Sequence, residues 1–321
     1  YGQAAKQGVL AVMWESVRRL PQDLQLVRSL KLQWAYGVEQ IVSRSKRQMQ
    51  EAARFAALCA DAGCRLILLK GIGLSRYYPV PLQRECGDID ILLPEGFEIG
   101  NEIAKSHGMT ISGLDYKHNH IYSNGIMFEN HRYLTSFKGK NDIRRLEKIL
   151  QNAIKEGNFA PFGDAGFYAL SPTANALYIT YHSFFHFLIE GITLRHLLDW
   201  ALFVKAEQDT IDWIRFYSIC DDLGFSRFAN TLNAIAADVW GISLANPGMS
   251  FDRCLLDRVL DDVLAQRRHV SGLPLYKRRP LLICNMLLSR WKYRQLYGRS
   301  FLGEMMRSVS GVLFDRSPEL E

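Results

Sequence analysis

Gly87-Asp88-Ile89-Asp90-Ile91-Leu92-Leu93 constrains this chain more than any other stretch. On a β-strand its two carboxylates project from one face, while the isoleucines beside them project from the other. The isoleucine face needs an apolar core and the acidic face needs water or cations, so the segment belongs in a sheet covered on one side. Upstream, Leu68-Leu69-Lys70-Gly71 reads as an apolar strand ending in a lysine and a glycine. Two such strand ends can present a cation, bare backbone and paired carboxylates to one ligand, and a metal-bound polyphosphate suits that combination.

Of the 321 residues 48% are apolar and 22% charged, which is ordinary globular composition with ample material for a core. The formal net charge of +6 fits an anionic ligand and is also common among soluble proteins. Its basic residues gather at Arg44, Lys46 and Arg47, at Lys277, Arg278 and Arg279, and at Arg290, Lys292, Arg294 and Arg299. The six cysteines show no Cys-x-x-Cys and no regular spacing, so a reduced, cytoplasmic protein without a zinc knuckle is expected. No apolar run of membrane-spanning length is present, and no membrane span is expected.

Residues 9–62 read as helices punctuated at Pro21, with Arg44 to Leu58 the clearest amphipathic piece. Gly63 stops the last of them, and Arg65 to Leu69 reads as a short buried strand. A helix is expected at Ile72 to Tyr77, a turning segment at Tyr78-Pro79-Val80-Pro81, and the acidic strand at Ile89 to Leu93. A further helix is expected at Phe97 to His107. Lys117 to Tyr122 and Ile126 to His131 form a predicted hairpin about Asn124-Gly125. From Asp142 helical patterns dominate, with breaks at Pro161 to Gly166, Gly191, Gly241 to Pro247 and Gly272 to Pro274. The expected fold is α+β: a small mixed sheet in residues 61–160, flanked by N-terminal helices in 1–60 and followed by a mainly helical C-terminal domain in 161–321.

Asp88 and Asp90 lie one side-chain period apart and can share a hard divalent cation, Mg²⁺ or Mn²⁺, which prefers oxygen donors and keeps substrate phosphates in its shell. Glu129, among apolar neighbours in its strand, is the candidate third carboxylate, and His131 shares its face. Gly71 lets a phosphate approach the backbone closely, and the helix after it aims its positive end at the same group. Lys70 and Arg84 are candidate phosphate contacts, although a lysine at a strand end and an arginine bracing the acidic strand are equally good structural readings.

In order, Leu69-Lys70-Gly71, Tyr78-Pro79, Arg84, Gly87-Asp88-Ile89-Asp90 and Glu129-Asn130-His131 resemble the uncharacterised nucleotidyltransferase family of the polymerase-β-like nucleotidyltransferase superfamily. The resemblance covers residues 50–135 well and continues more weakly through His182, His186, Gly191, Leu194-Arg195 and Asp199. It implies that Gly71 is the family's glycine, that Asp88 and Asp90 are the metal-binding pair and that Glu129 is the third acid. It further implies transfer of a nucleoside monophosphate from a nucleoside triphosphate (NTP) to an acceptor hydroxyl or phosphate on a small molecule, sugar, protein or RNA. The wider superfamily has serine after the glycine, whereas this chain has Ile72. That departure keeps two alternatives open: an inactive nucleotide-binding or scaffold protein of the same fold, and a toxin-like enzyme that modifies RNA.

His182 and His186 stand at i and i+4, a spacing that can bind zinc. Ser183 occupies the place where the metalloprotease motif requires glutamate, which favours core or hydrogen-bonding histidines. Arg195 and Asp199, also at i and i+4, can pair within a helix or stand at an interface near the nucleotide. The aromatic stretch Tyr178 to Trp200 reads as core. The basic stretch from Lys277 to Arg307 reads as helices with one packed face and one wet face. No phosphate-loop, dinucleotide or nucleophile-elbow motif is present.

Overall fold

A computed structural model describes residues 1–113, 115–137, 140–163, 165–244, 252–265 and 287–314, with 274, 276, 280, 281 and 284 between them. Lys277, Arg278 and Arg279, and residues 245–247 and 272–273 of the breaks anticipated at Gly241 to Pro247 and Gly272 to Pro274, lie outside the described residues. The fold is α+β, with a mixed seven-stranded sheet and a helical C-terminal region. The chain forms two compact units, one of residues 1–134 with 153–171 and one of residues 135–152 with 172–321.

In the first unit, α1 (Gly2–Lys6) and α2 (Leu10–Val17) precede the long α3 (Arg28–Asp61). Trp34 of α3 donates its indole N–H to Leu10 O (2.9 Å), which fastens α2 to α3. β1 (Leu66–Leu68) follows, then the single turn α4 (Ile72–Ser75), β2 (Ile89–Leu92), α5 (Phe97–Ser106), β3 (Thr110–Ser112), β4 (His118–Ser123) and β5 (Ile126–His131). After α6 (Asn141–Lys155), most of which belongs to the second unit, come β6 (Phe159–Phe162) and β7 (Phe167–Leu170). The strand order is β3-β4-β5-β2-β1-β7-β6. β2 runs antiparallel to β1 and parallel to β5, and β1 runs parallel to β7.

Alternation along the central strands divides the sheet into two chemically distinct faces. Ile89 and Ile91 of β2, Phe128 of β5 and Ile121 of β4 join Ala52, Phe55 and Cys59 of α3 and Ile103 of α5 in one apolar core. Their neighbours in sequence, Asp90, Glu129 and His120, belong to the opposite face. Three asparagines stand out on the apolar side. Asn119 and Asn130, paired across β4 and β5, both donate to Asn101 Oδ1 of α5, at 2.7 and 3.1 Å, and Asn130 also reaches Phe97 O (3.0 Å).

The structure departs from expectation in four places. β3 and the β6–β7 hairpin belong to the sheet, although the sequence suggested only a break at Pro161 to Gly166. Pro161 is tolerated because β6 is an edge strand, where a missing N–H leaves no ladder bond unmade. The helix expected at Ile72 to Tyr77 is one turn of four residues, so its dipole is small.

The fourth departure lies in the second unit, which contains α7 (Pro172–Ile189), α8 (Leu194–Glu207), α9 (Trp213–Leu223), α10 (Ser226–Trp240), α11 (Arg253–Leu264), α12 (Arg290–Gln295) and α13 (Phe301–Phe314). Here Lys292, expected on a wet face, is 2% exposed. Its ammonium pairs with Asp262 (2.6 Å) and donates to Phe187 O (2.8 Å), the partners a buried cation requires. The aromatic stretch is core: Tyr178, Phe184, Phe187 and Trp200 are all buried, and Phe187 stacks on Phe228.

Candidate functional site

The parallel pairing of β2 with β5 sets Asp90 directly beside Glu129, and the antiparallel pairing of β4 with β5 sets His120 beside Glu129 and His118 beside His131. Lys70 arrives from the end of β1, where Leu69 N donates to Asp90 O (3.1 Å). One face of the sheet therefore carries Lys70, Asp90, Glu129, His131, His118 and His120 in neighbouring positions. Asp88 precedes β2 by one residue. The carbonyl of Gly87 that leads into it accepts hydrogen bonds from Arg44 (2.9 Å) and Gln48 (3.2 Å) of α3.

Asp90 is the buried centre of this cluster, with 1% exposure. Its Oδ1 lies 2.9 Å from Lys70 Nζ and 3.0 Å from His131 Nε2. Burial would raise its carboxyl, but Lys70 and His131 outweigh that and hold it far below the ordinary range. His131 Nδ1 lies 3.2 Å from Tyr133 O. A carbonyl and a carboxylate can only accept, so the network assigns a proton to each ring nitrogen and makes His131 an imidazolium. Burial works against that charge, and the bonds to Asp90 and Glu129 overcome it and raise its pKa.

Burial opposes the Lys70 ammonium in the same way, and Asp90, Asp88 and Glu129 more than compensate, so it stays charged. Asp88 goes in the other direction. Burial and then the charge of Asp90 push its carboxyl up to about 6 against the pull of Lys70, and a hydrogen bond with Glu129 contributes. For Glu129 burial is outweighed by the hydrogen bond from His131, and its pKa is lowered. Burial lowers the pKa of His118 against the opposing charge of Glu129.

Three carboxylates facing two cations are one positive charge short, and the cost falls on Asp88. The carboxylate oxygens of Asp88 and Glu129 are hard donors. Among the described residues Asp90, Glu129 and His131 each offer a donor atom within 4.8 Å of the others, a set that could hold a metal ion, and Asp88 belongs to no such group.

Gly71 has φ 57° and ψ −115°, a conformation that only glycine adopts readily. A Cβ there would meet Cys86 Sγ at 2.7 Å, and the Arg84 guanidinium would lie 3.6 Å away. Arg84 is buried and donates to Glu85 O (3.1 Å), so it braces the chain leading to the acidic strand and lies beside Gly71. Lys70, a candidate phosphate contact by sequence, is paired with Asp90.

A family model described as uncharacterised nucleotidyltransferase matches residues 1–241. The chain belongs to that family. No curated protein and no solved structure matches it.

The match to the nucleotidyltransferase family covers the whole sheet and reaches through α10. The remaining sequence candidates lie in the helical unit. His182 and His186 share one face of α7, with ring centroids 4.4 Å apart, and His186 faces Glu190 at 3.5 Å. Among the described residues they belong to no three-donor group. On α8, Asp199 is buried and Arg195 half-buried. Sequence reasoning missed His118 and His120, although the signal was there. The two-residue Asn124-Gly125 turn pairs Ser123 with Ile126, which carries the register back to His120 and Glu129. Among the described residues no helix is long and apolar enough to cross a membrane.

Proposed function

We propose that this family member is a metal-dependent nucleotidyltransferase that moves a nucleoside monophosphate from an NTP to an acceptor hydroxyl or phosphate, with pyrophosphate leaving. The observation that supports the reading is Asp90 beside Glu129 on one sheet face, with the carboxyl of neighbouring Asp88 pushed up by burial and by the charge of Asp90. A divalent cation bound there supplies charge neutralisation for the phosphate oxygens. Gly71 lets the turn after β1 pack tightly against Cys86, with Arg84 beside it. Lys70 and His131 keep Asp90 ionised and fixed. Glu129, at 17% exposure against 1% for Asp90, takes the proton of the acceptor hydroxyl.

The test is incubation of the protein with Mg²⁺ or Mn²⁺, each NTP labelled at its α-phosphate, and a panel of small-molecule, sugar, protein and RNA acceptors. Label is expected on an acceptor, and Asp88→Asn with Asp90→Asn should lower the rate by at least about 100-fold. Transfer that survives the double change rejects the assignment. A second reading is supported by Lys70 and His131 both resting on Asp90 Oδ1 and by Ile72 after Gly71. In that case calorimetry shows cation-dependent NTP binding, and no acceptor becomes labelled.

A further inference from the structure

The acidic face of the sheet does not end at Glu129. On β4, His118 and His120 lie one side-chain period apart, and their rings face each other with centroids 5.5 Å apart and planes inclined by 31°. Glu129 turns one oxygen to each side. Its Oε2 lies 3.4 Å from His131 Nε2, while its Oε1 lies 3.8 Å from His118 Nε2 and 3.9 Å from His120 Nε2. Those last two separations are too long for hydrogen bonds, so no such bond explains why two imidazoles and a carboxylate oxygen converge. One donor atom from each of the three residues lies within 4.8 Å of the others.

We propose that His118, His120 and Glu129 Oε1 form a transition-metal site, a second cation position joined to the carboxylate cluster through the two oxygens of Glu129. Two imidazole nitrogens and one carboxylate oxygen are the donor set of open zinc sites, with the fourth position left for water or a ligand. Imidazole suits Zn²⁺, Co²⁺ or Ni²⁺, whereas Mg²⁺ takes oxygen. Donors bound at zinc distances lie about 3.3 Å apart in a tetrahedron, so each histidine needs to close on Glu129 Oε1 by about 0.5 Å. Gly113 helps to aim His120. Its turn, with φ 66°, runs so close to the ring that a Cβ there would lie 2.9 Å from Nδ1, on the ring edge away from Glu129. The site would hold a metal whether or not nucleotide is transferred.

The experiment uses the full chain stripped with a chelator and titrated with Co²⁺, Zn²⁺ and Mg²⁺. Calorimetry measures affinity, and the visible spectrum of Co²⁺ reports nitrogen donors. Zn²⁺ and Co²⁺ are expected to bind more than about 10-fold tighter than Mg²⁺, and His118→Ala and His120→Ala should each weaken Co²⁺ by more than about 10-fold. His182→Ala is expected to leave Co²⁺ binding unchanged. X-ray absorption of the Zn²⁺-loaded parent reads the donors without any variant, so a misfolded variant cannot hide the answer, and a shell containing imidazole nitrogen is expected. An all-oxygen shell, unchanged Co²⁺ affinity in folded His118→Ala and His120→Ala, or loss of binding in His182→Ala instead would overturn the proposal. Nucleotide transfer with Mg²⁺ but no transition-metal binding would also overturn it and leave the transferase reading intact. Metal binding without transfer would do the reverse.

Discussion

At the scale of single residues, Gly71 is the least replaceable position near the candidate site. Alanine there meets two independent penalties, the backbone strain of φ 57° with ψ −115° and a Cβ 2.7 Å from Cys86 Sγ. Such strain alone costs about 1–3 kcal/mol. Gly71→Ala should therefore lower the thermal midpoint clearly, and Cys86→Ala in the same chain should restore only part of the loss, because it relieves the contact and not the backbone. Full restoration in a melting experiment would show that the dihedral angles carry no cost. Much of this neighbourhood was legible in the sequence. Lys70, Gly71 and Asp90 sit at strand ends whose apolar neighbours leave little freedom in orientation. The pairing of Lys70 with Asp90 was not legible, because it depends on β1 and β2 running antiparallel. The bracing reading of Arg84 was legible, but its acceptor, Glu85 O beside Gly71, was not.

At the scale of elements, the asparagines on the apolar side guard the register that the opposite face depends on. A slip of one residue between β4 and β5 would send Glu129 and His131 into the core, and Asn119 and Asn130 can both donate to Asn101 only in the register observed. Asn101→Leu removes the shared acceptor and strands the buried Asn119 amide, at a cost of about 1–3 kcal/mol, while Asn130 keeps its bond to Phe97 O. The midpoint of urea denaturation should fall accordingly. A shift within 0.5 kcal/mol, the usual span for surface changes, would remove the asparagines from this role. The sequence hid this arrangement, since asparagine in a strand is disfavoured and its partners come from three separate elements. It also hid β6 and β7. Phe159–Phe162 contains a proline and Phe167–Leu170 is only four residues long, so neither has a periodicity that distinguishes it from the helical sequence around it. Long elements with strong patterns, such as α3 and the β4–β5 hairpin, were readable for the opposite reason.

At the scale of the whole molecule, each unit carries its own polar anchor. In the helical unit Asp142, at the start of α6, pairs with Arg299 (2.6 Å) and accepts a hydrogen bond from Tyr297 (3.2 Å). Burial raises the Asp142 carboxyl, but Arg299 outweighs it and the net shift is downward. A carboxyl depressed in the folded state stabilises above its unfolded pKa, about 3.9, and loses that contribution as pH falls through the folded value. The melting temperature of Asp142→Asn should thus lie below that of the parent at pH 7, with the gap narrowing as the pH drops below 4. A gap that is constant or widens over this range would contradict the pairing. The chain path between the units has a consequence of its own. β1 takes its parallel partner, β7, from residues 167–170, after the chain has entered the second unit at 135 and returned at 153. During synthesis the Leu66–Leu68 edge must therefore stay unpaired until about a hundred further residues have emerged. Throughout that interval it is an open hydrophobic strand edge, and the nascent chain is most exposed to aggregation there, well before the candidate site has any chemistry to perform.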